Sequence, residues 1–212
     1  MAKLRKGILG PFTGKIGTVV AVMRGNTVYI RALPRKSHKP QTAGQIAARE
    51  KFKLVNSLLS PMRPFIGAGF KYLALHKSAF DLAFTANYHG AILGVYPDLS
   101  IDYSQVVLSE GRLWPLKAAV MVLEATNILH LSWDVDWTPY SKIDDQVMLV
   151  LNCPALGFAD GMINLGSRYL QECRFHLQPR MTGYEVDVYV ALISKTGKHA
   201  SKSQYMGRVT PI

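Results

Sequence analysis

Cysteine is scarce in this 212-residue chain. Cys153 and Cys173 are too few for a disulfide framework, and the reading they invite is two buried thiols. No apolar run approaches the ~18 residues that a membrane span requires. The basic start, MAKLRKGILGPF, is broken at Gly7, Gly10 and Pro11, short of the ~7–15-residue core of a secretory signal. These absences predict a cytoplasmic protein with no transmembrane segment. Signatures of chemistry are also missing. The six histidines, His38, His76, His89, His130, His176 and His199, show no metal-ligand spacing with one another or with the cysteines. No serine sits in a nucleophile elbow, and no Cys–His pairing is suggested. The stretch GPFTGKIGT, residues 10–18, invites comparison with a phosphate-binding loop. Gly10 and Gly14 are one residue too close for that motif, however, and Ile16 stands where a metal-binding hydroxyl belongs. Asp134, Asp136, Asp144 and Asp145 cluster as a calcium site would, but read better as polar loop residues. No convergent acid, base or nucleophile set can be named. The expectation is a protein that is not an enzyme, with no catalytic residue, cofactor or metal.

Acidic residues are missing where bases are dense. Residues 1–77 hold fifteen Lys or Arg and one acid, Glu50, for a net charge of +14, whereas residues 78–212 sum to −3. Such asymmetry points the first half at something anionic; a solvated face that merely favours solubility is the plainer alternative. The candidate contacts are Arg24, Arg31, Arg35, Lys36, Lys39, Arg49 and Lys53. Aromatic residues Tyr29, Phe52, Phe65, Phe70 and Tyr72 interleave with these bases, as in single-strand binders, although aromatics at helical or strand spacing usually belong to a core.

With 49% hydrophobic residues a substantial core can be buried. IGTVVAVM and TVYIRAL are rich in β-branched residues and joined by RGN, where Gly25 and Asn26 can take positive φ, which predicts a β-hairpin. An isolated hairpin is marginal in water, so this one needs cover from its own chain or a partner. LPRKSHKPQT reads as an extended, proline-bracketed basic connector. Thr42 and Gln45 fit a capping box for a helix from Ala43 to Ser60, with Ala48, Phe52, Val55, Leu58 and Leu59 on its apolar side. Pro61 and Pro64 interrupt it. A short helix is expected around FIGAGFKYLAL, and another from Ser78, where Asp81 repeats the capping pattern. A Pro-Asp turn in LGVYPDLSIDY closes the helical region.

From about Leu113 the period changes to alternation. KAAVMVLE, ILHLSW, QVMLVLN, CRFHL, YEVDVYVAL and SKSQYMGRV predict six short strands of a sandwich or barrel. In YEVDVYVAL, alternation of Tyr184, Val186, Val188 and Val190 with Glu185, Asp187 and Tyr189 predicts one buried and one wet face.

Two resemblances add to this reading. ILHLSW is similar to the second strand of fibronectin type III domains, with Trp133 as the buried core tryptophan. LQPRMTGYEVDVYVALISKTGKHASKS is similar to that family's most recognisable segment, in which Tyr184 would form a tyrosine corner. This resemblance covers residues 113–212; the long interval between Ser141 and Cys173 leaves the middle strands unassigned. The N-terminal motifs FTGKIGTVV, VYIRALPRK and KPQTAGQIAAREKF resemble a large family of uncharacterised bacterial proteins. P-x-T-x-x-Q helix starts also occur in proteins of phage-like particles, which implies a virion or particle component as a further expectation.

The resulting expectation is an α+β chain in three parts: a basic hairpin and connector at 1–40, a helical region at 41–100, and an immunoglobulin- or fibronectin III-like β-sandwich at 110–212. Its expected role is that of a structural or interaction protein with a protein partner or self-assembly. The alternative is a nucleic-acid-binding protein whose basic half contacts phosphates.

Overall fold

In a computed structural model of the chain, residues 3–4, 12–24, 27–35, 39–124, 127–134 and 141–212 are described, residues 3 and 4 by their backbone alone. The class is α+β, and the chain forms two compact units, Met1–Thr42 and Ala43–Ile212.

The first unit is an antiparallel sheet of four strands in sequential order: β1 (Lys3–Leu4), β2 (Phe12–Ile16), β3 (Val19–Arg24) and β4 (Thr27–Ala32). The expected hairpin is β3–β4. The segment IGTVVAVM does not run as one strand, because Gly17, at φ +55°, turns the chain between Ile16 and its partner Val19. A two-residue hairpin loop requires such a conformation, and glycine adopts it without a Cβ penalty. Gly25 and Asn26, expected to turn the next hairpin, lie outside the described residues, as do Lys36 and His38.

The second unit opens with α1 (Ala43–Leu59), α2 (Arg63–Gly69) and α3 (Ala79–Gly90). Helix α1 buries Val55, Leu58 and Leu59. Phe52, expected on that face, is 55% exposed and rests its ring against Phe84, with centroids 4.6 Å apart; Ala48 is also exposed. Proline is tolerated in the first turn of α2, where an amide would lack an intrahelical partner. The expected cap of α3 is formed: the Asp81 amide donates to Ser78 Oγ (3.1 Å), and the Ser78 amide to Asp81 Oδ2 (3.4 Å). Buried Asn87 fastens α3 to the extended segment that follows. Its Nδ2 donates to the Ala83 and Val107 carbonyls, and its Oδ1 accepts from the Val107 amide. Between these, β5 (Ile92–Leu93) and β6 (Ser100–Ile101) pair around the Pro97-Asp98 turn.

Two antiparallel sheets complete the unit. One has the order β11 (Glu172–His176), β8 (Ile128–Asp134), β7 (Lys117–Glu124). The other runs β10 (Phe158–Ser167), β9 (Gln146–Cys153), β12 (Val186–Ile193), β13 (Gln204–Val209). Alternation divides β9 and β12 between two cores. Val147, Leu149, Leu151, Val186, Val188, Val190 and Leu192 meet Leu129, Leu131 and Trp133 between the sheets. Met148, Val150, Tyr189, Ala191 and Ile193 meet Leu58, Leu59 and Ile66 from the helices and Met62 and Phe70 from the two ends of α2.

The expectation of one wet face on β12 is therefore corrected. All eight residues of β12 are buried, Asp187 and Tyr189 included, because the helices cover the face that alternation alone would leave in water. Strand β10 fills the interval left unassigned between Ser141 and Cys173. Its sequence, FADGMINLGS, is poor in β-branched residues and carries two glycines. Trp133 is buried on β8, with Nε1 donating to the Arg168 carbonyl at 2.8 Å. Tyr184 precedes β12 and is 42% exposed, its amide donating to the Met181 carbonyl.

Candidate anion-binding face of the N-terminal sheet

Register determines which side chains of the first unit share a face. Lys15 pairs with Val20, and Val20 with Arg31; Val22 pairs with Tyr29, and Arg24 with Thr27. Residues directly opposite, and residues two apart along a strand, point to the same side. Lys15, Val20, Val22, Arg24, Tyr29 and Arg31 therefore share one face, with Thr13 and Thr27 beside them. Phe12, Ile16, Val19, Ala21, Met23, Val28, Ile30 and Ala32 form the other, which is wholly apolar.

On the first face Tyr29 is 57% exposed and Val22 47%, and both arginines and Lys15 are exposed. Val22, Arg24, Tyr29 and Arg31 line a shallow concavity of about 330 Å³. No carboxylate occurs in the chain before Glu50, so nothing within this unit neutralises the three cations. The arrangement offers two planar guanidinium forks, an ammonium and an aromatic ring over an apolar floor. Guanidinium and ammonium groups bind phosphate and carboxylate oxygens, the former in bidentate fashion.

The expected anion contacts are distributed unevenly. Arg24 and Arg31 are brought together on this face. Arg35 follows β4 and is exposed, Lys39 is exposed in the connector, and Lys36 lies outside the described residues. Arg49 and Lys53 belong to the second unit, exposed one turn apart on α1. Lys15 joins the face although its sequence context suggested only a failed phosphate loop. Tyr29 joins it although its spacing suggested a core residue. Cross-strand register is the signal that unites them, and it depends on the Gly17 turn.

A second concavity, of about 470 Å³, lies between α1 and the β5–β6 hairpin. It is lined by Glu50, Lys53, Leu54, Ser57, Tyr96, Pro97 and Leu99. Its acid and base oppose each other, so it concentrates charge of neither sign.

A further titratable cluster is centred on buried Asp187. Asp187 Oδ1 accepts from Arg208 Nε (2.8 Å) and the Tyr205 hydroxyl (3.0 Å), and its Oδ2 accepts from Arg208 Nη2 (3.1 Å). Arg208 Nη1 donates to Glu185 at 2.7 Å. The hydrogen bond to Asp187 raises the Arg208 guanidinium further above its ordinary range. Burial, reinforced by Asp187, pushes the Tyr189 hydroxyl up; that hydroxyl donates to the Tyr103 carbonyl. Both carboxylate oxygens of Asp187 are engaged, so the cluster serves as internal bracing. Burial also pushes the Cys173 thiol up to about 11, with the Glu172 carboxylate acting in the same direction. Among the described residues, no group of three or more His, Cys, Asp or Glu is placed to hold a metal ion. Asp136, of the aspartates considered for calcium, lies outside them. No helix of the described residues is long and apolar enough to cross a membrane.

The sequence matches the model of a family whose function is unknown, and the match extends over residues 11–207. The chain belongs to the family of unknown function DUF6266. No curated protein and no solved structure matches the chain. Membership spans both units, so the basic sheet and the two-sheet region belong to one family architecture.

Proposed function

We propose that this is a non-enzymatic structural or interaction protein that docks an anionic partner on the face of its N-terminal sheet. Residues 110–212, braced by the helices that cover one face of β9 and β12, act as a rigid binding or spacer module, an immunoglobulin- or fibronectin III-like sandwich. The strand order supports the second part. When β7, β8, β9, β11, β12 and β13 are lettered A, B, C, E, F and G, strands A, B and E share one sheet and C, F and G the other, the division that typifies such sandwiches. The buried Trp133 on the second of these strands supports the same reading.

The observation that carries the first part is the acid-free set of Lys15, Arg24 and Arg31 on one face. Uncompensated charge of one sign draws a partner of the other and orients its approach. The test is binding of the full chain to heparin, a flexible polyanion, at stepped salt. Wild-type affinity is expected to fall steeply as salt rises. The combined Lys15→Gln, Arg24→Gln, Arg31→Gln variant is expected to lose most of its affinity and most of that salt dependence. Unchanged binding by the triple variant would remove this face as the docking site.

A further inference from the structure

The N-terminal face holds more than charge, and the additional feature is Tyr29. An aromatic ring placed among the cations adds a flat stacking surface to the charge. The ring is 57% exposed, stands opposite Val22 and helps to line the concavity shared with Arg24 and Arg31. We propose that the anionic partner is single-stranded nucleic acid, with one base stacked on Tyr29 and its flanking phosphates held by Arg24, Arg31 and Lys15. This proposal rests on the docking face described above and names its ligand.

The geometry follows from the strand register. Arg31 is two residues beyond Tyr29 on the same strand, about 6.8 Å away at the antiparallel rise. Arg24 is on the neighbouring strand, diagonal to Tyr29 at roughly 7–8 Å. A base lying on the ring would thus have a guanidinium on either side at the reach of an adjoining phosphate. Lys15 lies level with Arg31 two strands away, about 10 Å across the sheet, and extends the positive track. Val20 and Val22 floor that track and hold no donor that would select one base over another.

Three considerations select this ligand class. A flexible acidic protein would satisfy the cations and could accept from the Tyr29 hydroxyl, but it brings no planar base to the face of the ring. A duplex conceals its base faces within the stack, so it offers Tyr29 no base to stack on. An unpaired base exposes a π-face, and stacking on an aromatic ring beside a positive groove is how single strands are held without sequence preference.

The experiment compares two probes on the full chain at ~0.15 M salt: a labelled oligothymidylate of about fifteen nucleotides, and heparin, which has no bases. Tyr29→Phe keeps the ring, whereas Tyr29→Leu keeps an apolar β-strand residue and removes it. Tyr29→Leu is expected to weaken oligothymidylate binding about tenfold, with Tyr29→Phe close to wild type and heparin binding unaffected by either. Ultraviolet cross-linking of the wild-type protein supplies a reading that needs no variant, and the adduct is expected on the peptide containing Tyr29. Equal losses for both probes, no loss for either, or an adduct elsewhere would overturn base stacking while leaving polyanion docking in place. Heparin binding without oligothymidylate binding would replace nucleic acid with another polyanion, such as an acidic protein. Wild-type binding of both probes by the triple cation variant would overturn the docking face itself.

Discussion

Asp187 is fully buried on β12, directly opposite Arg208 on β13. A carboxylate withdrawn from water carries a desolvation penalty of several kcal/mol, offset here by two guanidinium bonds and the Tyr205 hydroxyl. Removing one partner is more harmful than removing both, because a lone buried charge keeps the penalty without the attraction. Arg208→Met is therefore expected to destabilise the protein by about 3–5 kcal/mol, and the double variant Asp187→Leu, Arg208→Met to recover most of that loss. Chemical denaturation of the two single variants and the double variant checks this. Strictly additive losses would mean that the pair is not coupled. The same scale shows the limits of reading a sequence: Tyr184 and Tyr189 lie in one alternating run, yet Tyr184 is exposed and Tyr189 is the largest fully buried side chain among the described residues. Alternation tells which residues share a face but not which face a neighbouring layer covers.

At the scale of elements, legibility followed local chemistry. KAAVMVLE is β7 residue for residue, and the Ser78–Asp81 cap starts α3 as expected, because period and capping reside in adjacent residues. Strand β10 was not legible, since its pairing with β9 is maintained by backbone geometry that its side chains do not announce. Gly161 adopts φ +139°, and a Cβ there would run into the Leu149 carbonyl of the paired strand. The register also shifts between Met162 and Gly166. Glycine within a strand marks such close approaches and bulges. Gly161→Ala is thus expected to destabilise by about 1–3 kcal/mol through backbone strain, with fast amide exchange confined at first to β10 and its contacts on β9. Thermal melting and hydrogen exchange of this variant test the assignment; a change below about 0.5 kcal/mol would show that β10 tolerates a side chain there. The N-terminal face was legible only in part. Its charges are plain in the sequence, but Lys15 joins them only through the turn at Gly17, and Tyr29 meets Arg24 only through the β3–β4 register.

At the scale of the whole molecule, the decisive feature of the second unit is that β9 and β12 are buried on both faces. A chain limited to residues 110–212 keeps both sheets but loses α1, α2 and α3. Met148, Val150, Tyr189, Ala191 and Ile193 would then face water. Each large apolar side chain uncovered forfeits about 1.5–3 kcal/mol, so the set rivals the roughly 5–15 kcal/mol that keeps a typical domain folded. Asn87 also ties α3 by hydrogen bonds to the extended segment around Val107, which leads on to β7. Residues 43–212 are accordingly expected to unfold in a single calorimetric transition. Residues 110–212 are expected to bind hydrophobic dye and to aggregate or melt without cooperativity. Removing residues 1–42 is expected to leave the transition of 43–212 within a few degrees of the full chain, because that unit closes its own core, while abolishing polyanion binding at the N-terminal face. A cooperative transition of 110–212 at the temperature of 43–212 would show that the helices rest on the sheet without supporting it.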